Sequence, residues 1–224
     1  MIDPAQHLSV VIPTLNAAAV LPAALAALGC VAETIVADGG STDGTAAAAD
    51  EHGARLVTGL RGRGTQIAAG VAAASRPWLL LLHADTRLSP AWRAAAADHM
   101  AEHPARAGYF RFALDSADPR ARRLERLVAW RCRALGLPYG DQGLLITRDL
   151  LAAAGGIAPI PLMEDVDLIR RLGRHRLRLL PADAITSATR WEQEGYMRRS
   201  ARNLACLSLW FAGVPPAVIR RIYA

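Results

Sequence analysis

Short apolar runs alternate with alanine-rich stretches of helical spacing through the first half of the chain, and few architectures accept that order. LSVVIP (Leu8–Pro13) is short, apolar and rich in β-branched residues, as a buried strand is. AAAVLPAALAALG follows with helical spacing and stops at Gly29. ETIVAD (Glu33–Asp38) reads as a second strand, and Thr42 or Asp43 is placed to cap a helix through the alanines to Gly53. ARLVTG is a third strand, TQIAAGVAAAS another helix, and WLLLLHAD (Trp78–Asp85) a fourth, fully buried strand. Strand and helix in turn predict βαβ units and an α/β fold with a mostly parallel sheet. Ligands of such sheets bind beyond the carboxyl ends of the strands, so the polar residues ending them are the first candidates for function.

The second half is less regular. Ser89-Pro90 opens a helix to about Met100, AGYFRFALD is a strand, and PRARRLERLVAWRCRALG is a basic amphipathic helix. YGDQGLLIT reads as a loop entering a strand, MEDVDLIRRLGR as a short helix beginning with acids, and RLRLLPADAITSATRW as one or two strands. From Glu192 onward the pattern is helical with a break at Pro215-Pro216. The expected organisation is one domain over residues 1–191, with a nucleotide-binding half to about 88 and an acceptor half from 89. A helical extension covers 192–224.

With 52% apolar residues, the 224-residue chain can bury a sizeable core. All 26 basic residues are arginine, and the formal charge is +6. Absence of lysine excludes a Walker phosphate loop and Schiff-base chemistry. The arginines reflect either base composition or attraction to phosphate groups and anionic surfaces. Cys30, Cys132 and Cys206 are far apart, which gives neither a zinc site nor a disulfide framework and fits a reducing compartment. MIDPAQHLSVVIP lacks a charged start and a long apolar stretch, so no signal peptide is expected.

Four segments carry residues suited to chemistry. Asp38 enters GGSTDGT, where glycines let backbone approach a ligand; its carboxylate suits a ribose or base edge, and Asp43 reads as a plain helix cap. Asp85, in LLLLHADT, suits a hard cation held by one or two carboxylates plus substrate phosphates. His83 is open between metal ligand, phosphate donor and packed polar residue. Glu164-Asp165 starts a helix beside Met163, Val166 and Ile169, a partly buried setting in which a carboxylate can serve as general base. Arg63 lies in a glycine-rich loop before a helix, where a guanidinium can pair with a diphosphate.

Taken in order, these segments resemble glycosyltransferase family 2, which has the GT-A fold. LSVVIPTLNA is similar to the family's opening strand and Pro-Thr-x-Asn turn, and TIVADGGSTDGT to its strand ending in Asp before a Gly-Ser-x-Asp-Gly-Thr loop. WLLLLHADTRLSP resembles the Asp-x-Asp metal segment and MEDVDLIRRL the Glu-Asp acceptor-side motif. Within the family the chain most resembles the short subgroup called radical-SAM/selenodomain-associated transferase 2. That likeness rests on Gly62 to Gln66, His83 to Thr86, Tyr139 to Gly143, Leu162 to Val166 and Arg190 to Glu192. Three positions depart from family patterns. His83 replaces the first Asp of the metal segment, Ala68 an Asn after Arg63-x-x-Gln66, and Ser187 the Gln of the processive Gln-x-x-Arg-Trp box.

The resemblance implies an inverting transfer of a sugar from a nucleotide-diphosphate donor to a hydroxyl acceptor. Pro13, Thr14, Asn16, Asp38, Arg63 and Asp85 would bind the donor, and Asp85 with His83 a manganese or magnesium ion. Asp165 would be the general base, with Asp141, Gln142, Glu164, Arg190 and Trp191 on the acceptor side. Nucleic acid is not an expected partner. A lipid-linked acceptor is one option, as is peripheral contact at the inner face of the cell membrane for an otherwise cytoplasmic protein. The basic stretches Arg122–Val128 and Arg198–Phe211 motivate that option. The rival activities are a sugar-phosphate nucleotidylyltransferase and a non-catalytic binding protein on the same fold. The first would want Arg and Lys directly after the opening strand, where PTLNAAAVLP stands.

Overall fold

The computed structural model describes residues 3–223. Its elements run α1 (Pro4–His7), β1 (Leu8–Thr14), α2 (Leu21–Leu28), β2 (Glu33–Asp38), α3 (Thr45–Glu51), β3 (Arg55–Thr58) and α4 (Arg63–Ala73). There follow β4 (Trp78–Leu81), β5 (Thr86–Leu88), α5 (Trp92–Glu102), β6 (Ala107–Asp115), α6 (Pro119–Leu135), β7 (Leu144–Thr147) and α7 (Arg148–Ala153). The last part holds α8 (Glu164–Leu172), β8 (Leu177–Ser187), α9 (Thr189–Glu194), α10 (Tyr196–Phe211) and α11 (Pro216–Tyr223).

The strands form one sheet in the order β3-β2-β1-β4-β7-β6-β8-β5. β1 pairs in parallel with β2 and β4, β2 with β3, and β6 with β8; the β4–β7, β6–β7 and β5–β8 pairs are antiparallel. This is the expected α/β fold with a mixed, mostly parallel sheet. The chain order reverses at β1, whose neighbours β2 and β4 lead outward in opposite directions. A crevice at the carboxyl ends of β1 and β4 follows from that reversal.

Alternation along β1 builds both sides of the core. Val10 and Ile12 pack with Leu21, Leu28, Trp92 and Met100 on one face, and Val11 packs with Ile35, Ile67, Leu79 and Ile169 on the other. Both faces of the central strands are buried, which is why those strands read as unbroken apolar runs.

Several boundaries differ from expectation. α2 begins at Leu21, not Ala17, because Pro22 suits only a first helical turn. β4 ends at Leu81, and residues 82–85 form the turn into β5, so Asp85 stands beyond the strand and not on it. Leu177–Ser187 is one strand with a register shift opposite Tyr109/Arg111. α7 is a helix additional to those expected, capped by Thr147, which accepts from the Leu150 amide at 3.1 Å. In α6, Asp118 caps the first turn, Pro119 sits at its start, and Gly136 closes it in the left-handed conformation.

α4 is held close against the chain before α8. The Gly64 amide donates to the Ile160 carbonyl at 3.2 Å, and a Cβ on Gly64 would come within 2.6 Å of that oxygen. Gly64→Ala is therefore expected to destabilise the protein by about 1–3 kcal/mol, the usual cost of overpacking. Urea unfolding would show a lower midpoint at unchanged slope.

Candidate active site

At the carboxyl ends of β1 and β2 the loops are knitted together. Asp38 is buried and accepts from the Thr14 hydroxyl (2.8 Å), the Gly40 amide (3.0 Å), the Ser41 amide (2.7 Å) and the Ser41 hydroxyl. Burial alone would raise its pKa, but the donors of Ser41, Thr14 and Gly40 outweigh it and hold the carboxyl below the ordinary aspartate range. Asn16, at φ 50°, accepts from the Thr42 amide at 2.9 Å, and its own amide donates to Ser41 Oγ at 2.8 Å. Thr14, Asn16 and Asp38 thus shape the loop with polar groups already engaged by the protein. Pro13 lines a small apolar void of about 40 Å³ behind the site.

Gln66, buried on the first turns of α4, ties this loop pair to the next. Its amide nitrogen donates to the Thr14 and Ala37 carbonyls, and its oxygen accepts from the Gly62 amide at 3.3 Å. One residue beyond that anchored glycine, Arg63 reaches across to α8. Its Nε donates to Glu164, and its terminal nitrogen lies 3.6 Å from Asp165. Burial raises the Glu164 pKa against the pull of Arg63. For Asp165, burial is outweighed by Arg63 and by the Gly140 amide, which donates at 2.9 Å, and the carboxyl titrates below the ordinary range. α8 starts from Met163 in the left-handed conformation, an uncommon state for a residue with a side chain. That backbone turn sets the Glu164-Asp165 pair at the helix start.

A cavity of about 400 Å³ opens beside these groups. Its polar end is lined by Arg63, His83, Asp85, Asp141, Asp165 and Arg190. Asp85, from the turn after β4, and Asp165, from the start of α8, therefore face one space. His83 has a buried Nε2 with no partner among the described residues, and burial, with help from Arg63, lowers its imidazole to about 4. It is neutral at pH 7, as a metal-ligating imidazole has to be. Arg190 is exposed and makes no ion pair among the described residues.

Asp141 lies on a 3-10 turn, Gly140–Gln142, and has a buried Oδ1 without a partner among the described residues. Burial pushes its carboxyl up to about 6; Arg131 opposes the rise, and Asp165 and Asp85 add to it. The unfolded group ionises near 4, so stability tied to Asp141 is lost as pH rises from about 4 to about 6. Asp141→Asn is expected to stabilise the metal-free protein on the order of 1–3 kcal/mol at pH 7.5 and to be near neutral at pH 4. Thermal unfolding at the two pH values checks the sign.

The remaining sequence candidates are placed differently. Gln142 is buried and its amide is engaged: it donates to the Phe110 carbonyl at 3.0 Å and accepts from Cys132 and the Tyr139 amide. It anchors the turn that presents Asp141, and it does not line the cavity. Glu164 is 2% exposed and serves Arg63. Trp191 reaches the cavity edge but is mostly core, stacked 6.1 Å from the Tyr196 ring with Arg199 over its face. Tyr139 and Asn203 also line the cavity with buried oxygens that have no partner among the described residues. The sequence flagged Tyr139 only as part of a motif and Asn203 not at all. Among the described residues no three His, Cys, Asp or Glu side chains converge as a ready metal site. Asp85 and His83 offer a carboxylate oxygen and a neutral imidazole, a donor pair that suits a divalent cation completed by phosphate oxygens.

Residues 9–155 match the family described as glycosyl transferase family 2. The chain belongs to that family. A stretch of 78 residues is 44% identical to an uncharacterised glycosyltransferase of Mycobacterium tuberculosis, covering 34% of this chain and 36% of the relative; the Mycobacterium bovis counterpart matches equally. The matched stretch thus spans little more than a third of the curated relatives. Among solved structures, M. tuberculosis glucosyl-3-phosphoglycerate synthase superposes with a TM-score of 0.64 at 23% identity, over 94% of this chain and 82% of that one. The same synthase with Mn2+, uridine diphosphate and glucosyl-3-phosphoglycerate gives 0.59 at 22% identity, covering 81% and 71%. The structural likenesses show the GT-A fold expected from the sequence.

Proposed function

We propose that this family-2 enzyme transfers a sugar from a nucleoside-diphosphate donor to a hydroxyl acceptor with inversion, Asp165 acting as general base. The observation that carries the reading is the convergence of Asp85 and Asp165 on one cavity from separate parts of the chain. The similar synthase binds uridine diphosphate and Mn2+, which supports the same donor class and ion here.

The donor's nucleoside would rest on the loops shaped by Pro13, Thr14, Asn16 and Asp38, with its diphosphate directed to Arg63 and Asp85. Asp85 and His83 would hold Mn2+, with Mg2+ as a substitute. When bound, such an ion neutralises charge on a leaving diphosphate. Arg63 is the residue that links the two halves of the site. Where it turns toward phosphate, its hold on Asp165 weakens and that carboxylate becomes more basic. Asp165 is ionised at neutral pH and takes the acceptor hydroxyl's proton as the oxygen attacks the anomeric carbon. Attack from the face opposite the departing diphosphate inverts the centre. Glu164 keeps Arg63 in place, and Arg190 gives the acceptor side a cation without a fixed partner.

The division into a donor half to about residue 88, an acceptor half to 191 and a helical extension from 192 belongs to this proposal. So does membership of the radical-SAM/selenodomain-associated subgroup. A cytoplasmic setting rests on the cysteine pattern, and no described helix is long and apolar enough to cross a membrane. A thermal-shift panel of nucleotide sugars with and without Mn2+ tests the donor class. One nucleotide series should raise Tm in proportion to ln(1 + [L]/Kd), and more so with Mn2+. Equal, negligible shifts across the panel would remove the proposal.

A further inference from the structure

The cavity does not end at its charged residues. From Asp85 and Asp165 it extends between α6 and α10, where α6 contributes Leu124, Leu127 and Val128 and α10 contributes Leu204 and Leu207, beside Arg131 and Arg199 of the same helices. α6 and α10 belong to distant parts of the chain, and their apolar faces meet across this gap and not against each other. Leu127 and Leu204 line it while remaining 64% exposed, one on each helix. Trp130, 58% exposed, follows Leu127 by nearly one turn of α6. Two buried oxygens without partners among the described residues, Tyr139 Oη and Asn203 Oδ1, line the same space.

A small hydrophilic acceptor would leave the α6–α10 walls in water. An acceptor with a hydroxyl head and an apolar chain would satisfy both ends at once. Its head would meet the carboxylates, Tyr139 and Asn203, and its chain would cover the leucines. Resting on the transferase reading above, we infer that the acceptor is an amphiphile whose apolar chain lies between α6 and α10. The volume, about 400 Å³, lies within the range of small-molecule sites, about 300–1,000 Å³. The arginines of α10 do not make this a uniformly basic membrane face: Arg199 and Arg202 both turn inward to Glu194.

The test uses simple alcohols as probes. Binding of 1-butanol, 1-hexanol and 1-octanol to the full chain is measured by calorimetry, beside thermal stabilisation by nucleoside diphosphate and Mn2+. Each added pair of methylenes should tighten binding roughly tenfold or more, as expected for apolar transfer. The double variant Leu127→Glu/Leu204→Glu changes two exposed positions, so its Tm should stay near wild type while the chain-length gradient collapses. A flat gradient in the wild type, or an unchanged gradient in the variant, overturns the inference. So does a flat gradient combined with flotation of the wild type, but not the variant, on anionic phosphatidylglycerol vesicles; that result would assign the leucines to a membrane surface. Nucleotide stabilisation that persists beside a flat gradient separates failure of the acceptor class from failure of the transferase reading. Its absence beside a steep gradient marks the reverse.

Discussion

Replacing Asp165 with asparagine is expected to cut sugar transfer by about 10²–10⁴-fold, the usual worth of a positioned general base. The substitution is close to isosteric. An asparagine oxygen can still accept from the Gly140 amide, which Asp165 receives at 2.9 Å. Arg63 retains Glu164, its nearer partner. Fold and donor affinity should therefore stay close to wild type, and the loss should fall on kcat with little change in donor KM. Measuring nucleoside diphosphate release against donor concentration separates the two. A variant with near-normal kcat would take Asp165 out of the role and turn attention to Asp141, which shares the cavity and has the higher pKa.

The second large effect is expected at Asp85. Asp85→Ala should lower kcat/KM on the order of 10²–10³-fold, because it removes the one carboxylate assigned to a cation whose charge neutralisation is worth several kcal/mol. Its signature is qualitative as well. The wild type should respond to added Mn2+, and the variant should respond weakly or not at all. His83 alone is a single neutral donor, and no three-ligand group exists among the described residues to compensate. A titration of activity against Mn2+ reads both. Unchanged metal dependence in Asp85→Ala would refute the assignment.

Much of the fold was legible because β1, β2 and β4 are buried on both faces and so read as unbroken apolar runs. The same property hid where β4 ends. Its pairing with β7 stops at Leu81, but Leu82 is equally apolar and also buried, so nothing in the residue types marks the turn that carries His83 and Asp85. α7 has a readable signal in its Thr147 cap, but that signal is weaker than the apolar strand before it.

The candidate site divided along the same physical line. Which residues close apolar runs and open helices can be read from local pattern, and that signal singles out Asp38, Asp85 and Asp165 as candidates. What each carboxylate touches is set by contacts between distant segments. Arg63 and Glu164 are 101 positions apart, and their pairing leaves Arg63 less free than a loop arginine would be. Asp141 and Gln142 are adjacent, yet the 3-10 turn sends one to the cavity and the other into hydrogen bonds with Phe110 and Cys132. Asp38 offered a free carboxylate in the sequence, but in the fold it is filled by four donors. The amphipathic character of α6 and α10 was evident; that their apolar faces would flank one gap was not, since their partner in space is unmarked in either helix.

The central claim is that Asp85 and Asp165 face one cation-bound diphosphate. Paramagnetic Mn2+ reports this directly, since it broadens amide resonances near it. With uniformly labelled protein, uridine diphosphate and substoichiometric Mn2+, the amides of Asp85 and of Gly140, the residue bonded to Asp165, should broaden together. The Gly53 amide, in the turn after α3, should stay sharp, and Asp85→Ala should abolish the effect. Broadening that reaches one of the two segments without the other, or that survives in Asp85→Ala, would contradict the account.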